Sequence, residues 1–155
     1  MRARAVTTCL VASALVGVVL AAFAVAGLVA PAAGDVTSYK IIVHPDNPVK
    51  AVDASFLRDA YLKKAGEWPG GLAVHPLDLS PRSPVRTQFV REVLRKTPLQ
   101  LRSYWNQQIF SGKRVPPPHA DTPAAAIAYV LANAGAVAYI PADVDPGRAK
   151  VVSLE

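Results

Sequence analysis

Asp78-Leu79-Ser80-Pro81-Arg82-Ser83-Pro84-Val85-Arg86-Thr87-Gln88-Phe89 is the stretch on which the fold of this 155-residue chain turns. It begins at the end of an apolar run and finishes inside a helix. Residues 72–79 read as a strand whose apolar positions are Val74, Leu77 and Leu79. Pro76 has no N–H to give to a ladder, so it sets that strand near a sheet edge or shortens it. Ser83-Pro84 then starts a helix: the hydroxyl can accept from a free backbone N–H, and proline at the first helical position loses no bond. Val85, Phe89, Val90, Val93 and Leu94 recur on one face, the spacing of a helix laid on a core.

The same start occurs twice more, at Thr97-Pro98 and Thr122-Pro123. The helix after Thr97 carries Leu101, Tyr104, Trp105 and Ile109 and stops near Gly112; the one after Thr122 carries Ile127, Val130 and Leu131 and stops at Gly135. On the N-terminal side, residues 39–44 form a strand closed by Pro45, and Asp46-Asn47-Pro48 is turn chemistry. Asp53 can cap a helix with Phe56, Leu57, Ala60 and Tyr61 as its apolar positions. Residues 66–71, with Trp68-Pro69, make a loop. Residues 136–140 and 150–154 are strands joined by a loop. Strands alternating with helices predict an α/β domain of three layers, with a mainly parallel mixed sheet and about four helices. It spans residues 39–155, enough for one core. Pro116-Pro117-Pro118 is too short a connector to divide it.

Residues 1–32 are of another kind. Arg2 and Arg4 precede an uncharged Ala/Val/Leu-rich run, and Ala30-Pro31-Ala32 supplies the small residues of a cleavage site. This is the layout of a secretory signal peptide, although the run is also long enough to span a bilayer. The expectation is a signal peptide or N-terminal membrane anchor over 1–32 and a linker over 33–38. Either way the domain is exported, free or membrane-anchored; in a bacterium that means the periplasm or cell envelope, with any anchor in the inner membrane. The lone cysteine, Cys9, lies in this segment, so the domain itself has no thiol for a disulfide or a thiolate metal site. The formal charge of +6 falls to +4 without Arg2 and Arg4. That is too mild an excess to point to nucleic acid.

Catalytic signatures are missing. His44, His75 and His119 are far apart and lack metal-ligand spacing, no G-x-S-x-G surrounds a serine, and there is no phosphate-binding glycine loop. No enzyme activity, cofactor or metal is expected. What remains is the start of the helix at Ser83. It follows a strand end, the usual ligand edge of an open α/β sheet, and a helix start attracts anions by about 0.3–1 kcal/mol. Ser83 could donate its hydroxyl, and Arg82 and Arg86 could add charge-assisted bonds to an oxyanion. The competing reading makes Ser83 a cap and the arginines a solvated face, continued by Arg91, Arg95 and Lys96.

The order of these pieces resembles one lobe of a type II periplasmic solute-binding protein, in particular the small stand-alone members of the phosphate ABC transporter substrate-binding family. The matching residues are Ile42-Val43-His44-Pro45-Asp46-Asn47-Pro48, then Phe56-Leu57-Arg58-Asp59-Ala60-Tyr61-Leu62 with Trp68, then the Ser83 helix start, Gly135-Ala136-Val137-Ala138-Tyr139-Ile140, and Val151-Val152-Ser153-Leu154. The family's helix start reads G-S-G-T-R-x-x-F. Ser83, Arg86 and Phe89 match it, while Arg82, Pro84 and Val85 depart from it and remove two potential donors. The resemblance implies an exported, non-enzymatic binder of phosphate or a similar oxyanion, with Ser83, Arg86 and Arg82 at the anion. It also implies an ABC transporter permease as a partner. A single lobe leaves its anion in water, so binding is expected to be weak, about millimolar or −4 kcal/mol. A homodimer would rebuild a closed cleft from two such lobes. The alternative is an envelope protein-interaction or scaffold module that has lost solute binding, with Trp68, Trp105, Phe110 and the proline connector as contacts.

Overall fold

The computed structural model describes residues 38–155. The expected leader or anchor, Cys9 and linker residues 33–37 lie outside the described residues. The elements are β1 (Tyr39–Val43), β2 (Ala51–Val52), α1 (Ala54–Tyr61), β3 (His75–Pro76), β4 (Asp78–Leu79), α2 (Pro84–Glu92), α3 (Pro98–Phe110), β5 (His119–Ala120), α4 (Pro123–Ala132), β6 (Ala136–Pro141) and β7 (Lys150–Leu154). The fold is α/β, with four helices and a mixed sheet, as the alternation predicts.

Five strands form the main sheet, in the order β2-β7-β1-β6-β3. β1 is antiparallel to both neighbours, while β2 is parallel to β7 and β3 parallel to β6. Four strands therefore run together and β1 alone runs against them. Because β1 sits in the middle, the longest ladders are antiparallel even though most strands share one direction. Residues 142–149 carry the chain across β1 from β6 to β7. Gly147 turns this loop at φ 58°, and its N–H donates to the Asp145 carboxylate at 2.9 Å, a local Asx turn.

The strand expected over residues 72–79 divides in two. β3 is an edge strand, the place where Pro76 is tolerated. After Leu77, whose N–H still donates to Val137 of β6, the chain leaves the main sheet, and the Asp78 N–H donates to Pro118. β4 then pairs in parallel with β5 in a separate two-stranded sheet. The run on the main sheet ends after Leu77, and the proline connector delivers the partner for the second.

Both faces of the main sheet are covered. Successive β6 residues from Ala136 to Ile140 are all buried, which a half-solvated strand would not allow. Tyr139 stacks on Phe89 of α2 with ring centroids 3.9 Å apart, and Phe89 meets Tyr61 of α1 at 4.8 Å. α4 packs along β6 and β1, with Ala126 and Val130 buried. Gly135 sits where only glycine fits: a Cβ there would lie 1.8 Å from the Ala73 carbonyl oxygen. Its own carbonyl accepts from the His75 N–H at 3.0 Å and from Trp68 Nε1 at 2.9 Å. Trp68 is thus a core residue rather than a contact residue.

The helix starts differ from one another. Asp53 caps α1 by accepting from the N–H of Ser55 and of Phe56. Thr97 accepts from the Gln100 N–H, and the Gln100 side chain accepts from the Thr97 N–H, a capping box. Thr122 accepts from the Ala125 N–H at 3.2 Å. Ser83 caps α2 by position only, and its hydroxyl accepts no bond from the first turn. This corrects the expectation that all three hydroxyl–proline starts are capped alike.

Candidate functional site

The Ser83 segment is built by two constraints. The Ser80 N–H donates to Ala120 of β5 at 2.9 Å, and the Ser83 N–H donates back to the Ser80 carbonyl at 2.8 Å. Residues 80–83 therefore form a tight turn closed by the Ser83-to-Ser80 bond, with Pro81 and Arg82 exposed at its tip. Ser80 is buried. Ser80, Arg82, Ser83 and Asp121 line an open cavity of about 410 Å³. Its walls are polar: two hydroxyls, one guanidinium and one carboxylate. Among the described residues Arg82 makes no ion pair, so its charge is available there. Asp121 opposes any anion that enters.

Arg86 lies in the first turn of α2 and is engaged differently. Its Nε donates to the Asp78 carboxylate at 2.9 Å, and the two side chains are only 16% and 15% exposed. The other Asp78 oxygen accepts from the Leu79 N–H at 2.8 Å and from the Tyr139 hydroxyl. Asp78 thereby joins β4, β6 and α2. Burial, and next the Asp78 charge, push the Tyr139 phenol far above the usual tyrosine range. Tyr61 is shifted in the same direction, chiefly by burial, and donates to the Leu77 carbonyl at 2.8 Å. Both phenols stay protonated and act as fixed donors.

The three site residues read from the sequence therefore do not share one cavity. Ser83 and Arg82 line the polar one. Arg86 lines a second, larger groove of about 570 Å³ between α3, β4 and the segment before β5. Sequence reasoning missed Asp78 as the partner of Arg86. The signal available was an Asp at a strand end eight residues before an Arg, but the Tyr139 contact that completes the arrangement is 61 residues away. Among the described residues, no three His, Cys, Asp or Glu side chains group as metal ligands, and no helix is long and apolar enough to cross a membrane.

Solved structures share this fold. A phosphate ABC transporter substrate-binding protein from Clostridium perfringens, determined with bound phosphate, matches over 75% of this chain and 44% of its own, at 20% identity and a TM-score of 0.58. An ABC-type phosphate transport receptor from Vibrio cholerae matches over 75% and 45%, at 17% identity and a TM-score of 0.57. PstS from Borrelia burgdorferi matches over 76% and 47%, at 9% identity and a TM-score of 0.57. The chain thus spans less than half the length of these structures, and its fold fits a single lobe of the periplasmic-binding-protein type. No protein-family profile and no curated protein sequence matches it.

Proposed function

We propose that this chain is an exported, non-enzymatic binder of phosphate or a similar oxyanion, with the anion held weakly at the start of α2. The observation that carries the reading is the Ser83 hydroxyl, which caps no first-turn N–H, beside Arg82, which makes no ion pair among the described residues, in the polar cavity. The names of two fold neighbours support it, a phosphate ABC transporter substrate-binding protein with bound phosphate and an ABC-type phosphate transport receptor. In this proposal Ser83 donates to one anion oxygen, and Arg82 and the first-turn N–H groups of α2 supply positive potential. Arg86, held by Asp78, adds its field from the adjacent turn and keeps α2 in place. With Asp121 in the same cavity and the site open to water, affinity stays near millimolar, about −4 kcal/mol. Its expected partner is an ABC transporter permease in the envelope, and two copies closing on one anion would tighten the site.

Calorimetric titration of the domain with inorganic phosphate tests this. Saturable heat at millimolar phosphate, lost in Arg82→Ala, is the expected outcome. Heat identical in wild type and variant refutes the assignment.

A second reading, an envelope interaction module, is favoured by one observation. The end of α3 and the segment after it expose Ile109, Phe110 and Val115, with Phe110 90% exposed. If this surface is the working part, Phe110→Ser abolishes recovery of an envelope partner in a pull-down while phosphate heat is absent from wild type.

A further inference from the structure

The larger groove has a composition that an oxyanion site does not require. α3 lines it with Leu99, Trp105 and Ile109, and the segment before β5 with Pro116 and Pro117. Its volume of about 570 Å³ lies within the range of small-molecule sites, which are mostly apolar with a few placed polar groups. The charges on it do not cancel. Both Asp78 oxygens are already occupied, by Tyr139 and Leu79 on one side and by Arg86 Nε on the other. Asp78 therefore has little left to offer a ligand, and its charge is matched by Arg86. The terminal nitrogens of Arg86 make no hydrogen bond to any described residue, and Arg102, which also lines the groove, makes no ion pair among them. The balance is one net positive charge on an apolar slot.

We propose that this groove is a second binding site, independent of the phosphate reading, for a small organic anion: a carboxylate carried on an aromatic or branched apolar body. The apolar body lies between α3 and the prolines, where burial of apolar surface drives it in. The carboxylate meets Arg102 and the free nitrogens of Arg86, which can take it in a bidentate manner. Inorganic phosphate would leave the apolar walls wet, and a neutral apolar molecule would leave the guanidinium donors without a partner.

The test titrates the purified full chain with 1-naphthoate while following tryptophan fluorescence. Trp105 lines the groove, whereas Trp68 is buried elsewhere against Phe56 at 5.2 Å. Saturable quenching in the submillimolar range is expected, and it should disappear in Trp105→Phe. Neutral 1-naphthamide, and naphthoate with the Arg102→Ala variant, should each bind about three- to tenfold more weakly. Ile109→Ser should weaken naphthoate as well. Arg102 and Ile109 are exposed, so both variants are expected to fold, with circular dichroism as the check. Excess phosphate should leave the naphthoate curve unchanged, and Arg82→Ala should too. Absence of saturation, equal binding of the amide, indifference to Arg102→Ala, or displacement by phosphate would each overturn the proposal. The first three results leave untouched whether Ser83 and Arg82 bind phosphate in their own cavity, and phosphate calorimetry of Arg82→Ala decides that separately.

Discussion

The starts of α2 and α3 carry the same signature, a hydroxyl residue followed by proline, yet they are secured in different ways. At α3 the Thr97 hydroxyl is consumed by the Gln100 N–H in a capping box. At α2 the Ser83 hydroxyl is left out of the helix, and the first turn is fastened from the side by the Arg86–Asp78 pair. A helix held from the side can leave its cap free. That freedom is what the phosphate proposal relies on at α2, and α3 lacks it.

The largest effect follows from cutting the lateral fastening. Asp78→Ala leaves Arg86 without its partner in a mostly buried place and removes an acceptor from Tyr139 and Leu79. A loss of about 2–4 kcal/mol in urea denaturation is expected, somewhat below the figure for a fully buried pair because both side chains keep some exposure. A loss under about 0.5 kcal/mol would mean that α2 is held otherwise.

Alkaline titration probes the same anchor. The Tyr139 phenol is raised in the folded protein by burial and by Asp78. Its contribution is therefore fully present below the ordinary tyrosine pKa near 10 and is lost as pH rises above it, where the unfolded chain ionises and the folded one does not. Stability should fall by about 1.4 kcal/mol per pH unit above pH 10 for this group alone. Melting temperatures between pH 9 and 11 check the sign. Tyr139→Phe should flatten the slope.

Smaller effects separate the caps themselves. Thr97→Ala should cost about 1 kcal/mol by thermal or chemical denaturation, and Thr122→Ala about the same. Ser83→Ala should stay within about 0.5 kcal/mol of wild type. Equal losses at all three positions would erase the distinction between the helix starts.

How much of this was readable in the sequence depended on the length of each pattern. β1, β6 and β7 have side chains that suit strands over five or six residues, and the Asp53 cap and the three Pro starts mark their helices locally, so these elements fall where the sequence places them. β2 and β5 are two residues long, too short for any periodicity, and they exist only because β7 and β4 lie beside them. That blindness reached the site. With β5 invisible, residues 72–79 read as one strand, and the turn at residues 80–83, which is fastened to Ala120, could not be drawn. Ser83 and Arg82 were legible as residue types at a helix start. Their separation from Arg86 was not, because it depends on Tyr139 and Asp78 meeting across the fold. Gly135 shows the converse: its place after α4 was plain, but the Ala73 carbonyl packed against it was not.

The most direct test of the uncommitted start is a ¹H–¹⁵N correlation spectrum of the domain recorded with and without millimolar phosphate. Phosphate should move the amide signals of Arg82, Ser83, Val85 and Arg86 in a saturable way while leaving Gln100 and Ala125, the amides already capped by Thr97 and Thr122, in place. No shift in the α2 start at saturating phosphate, or equal shifts at all three helix starts, would contradict it.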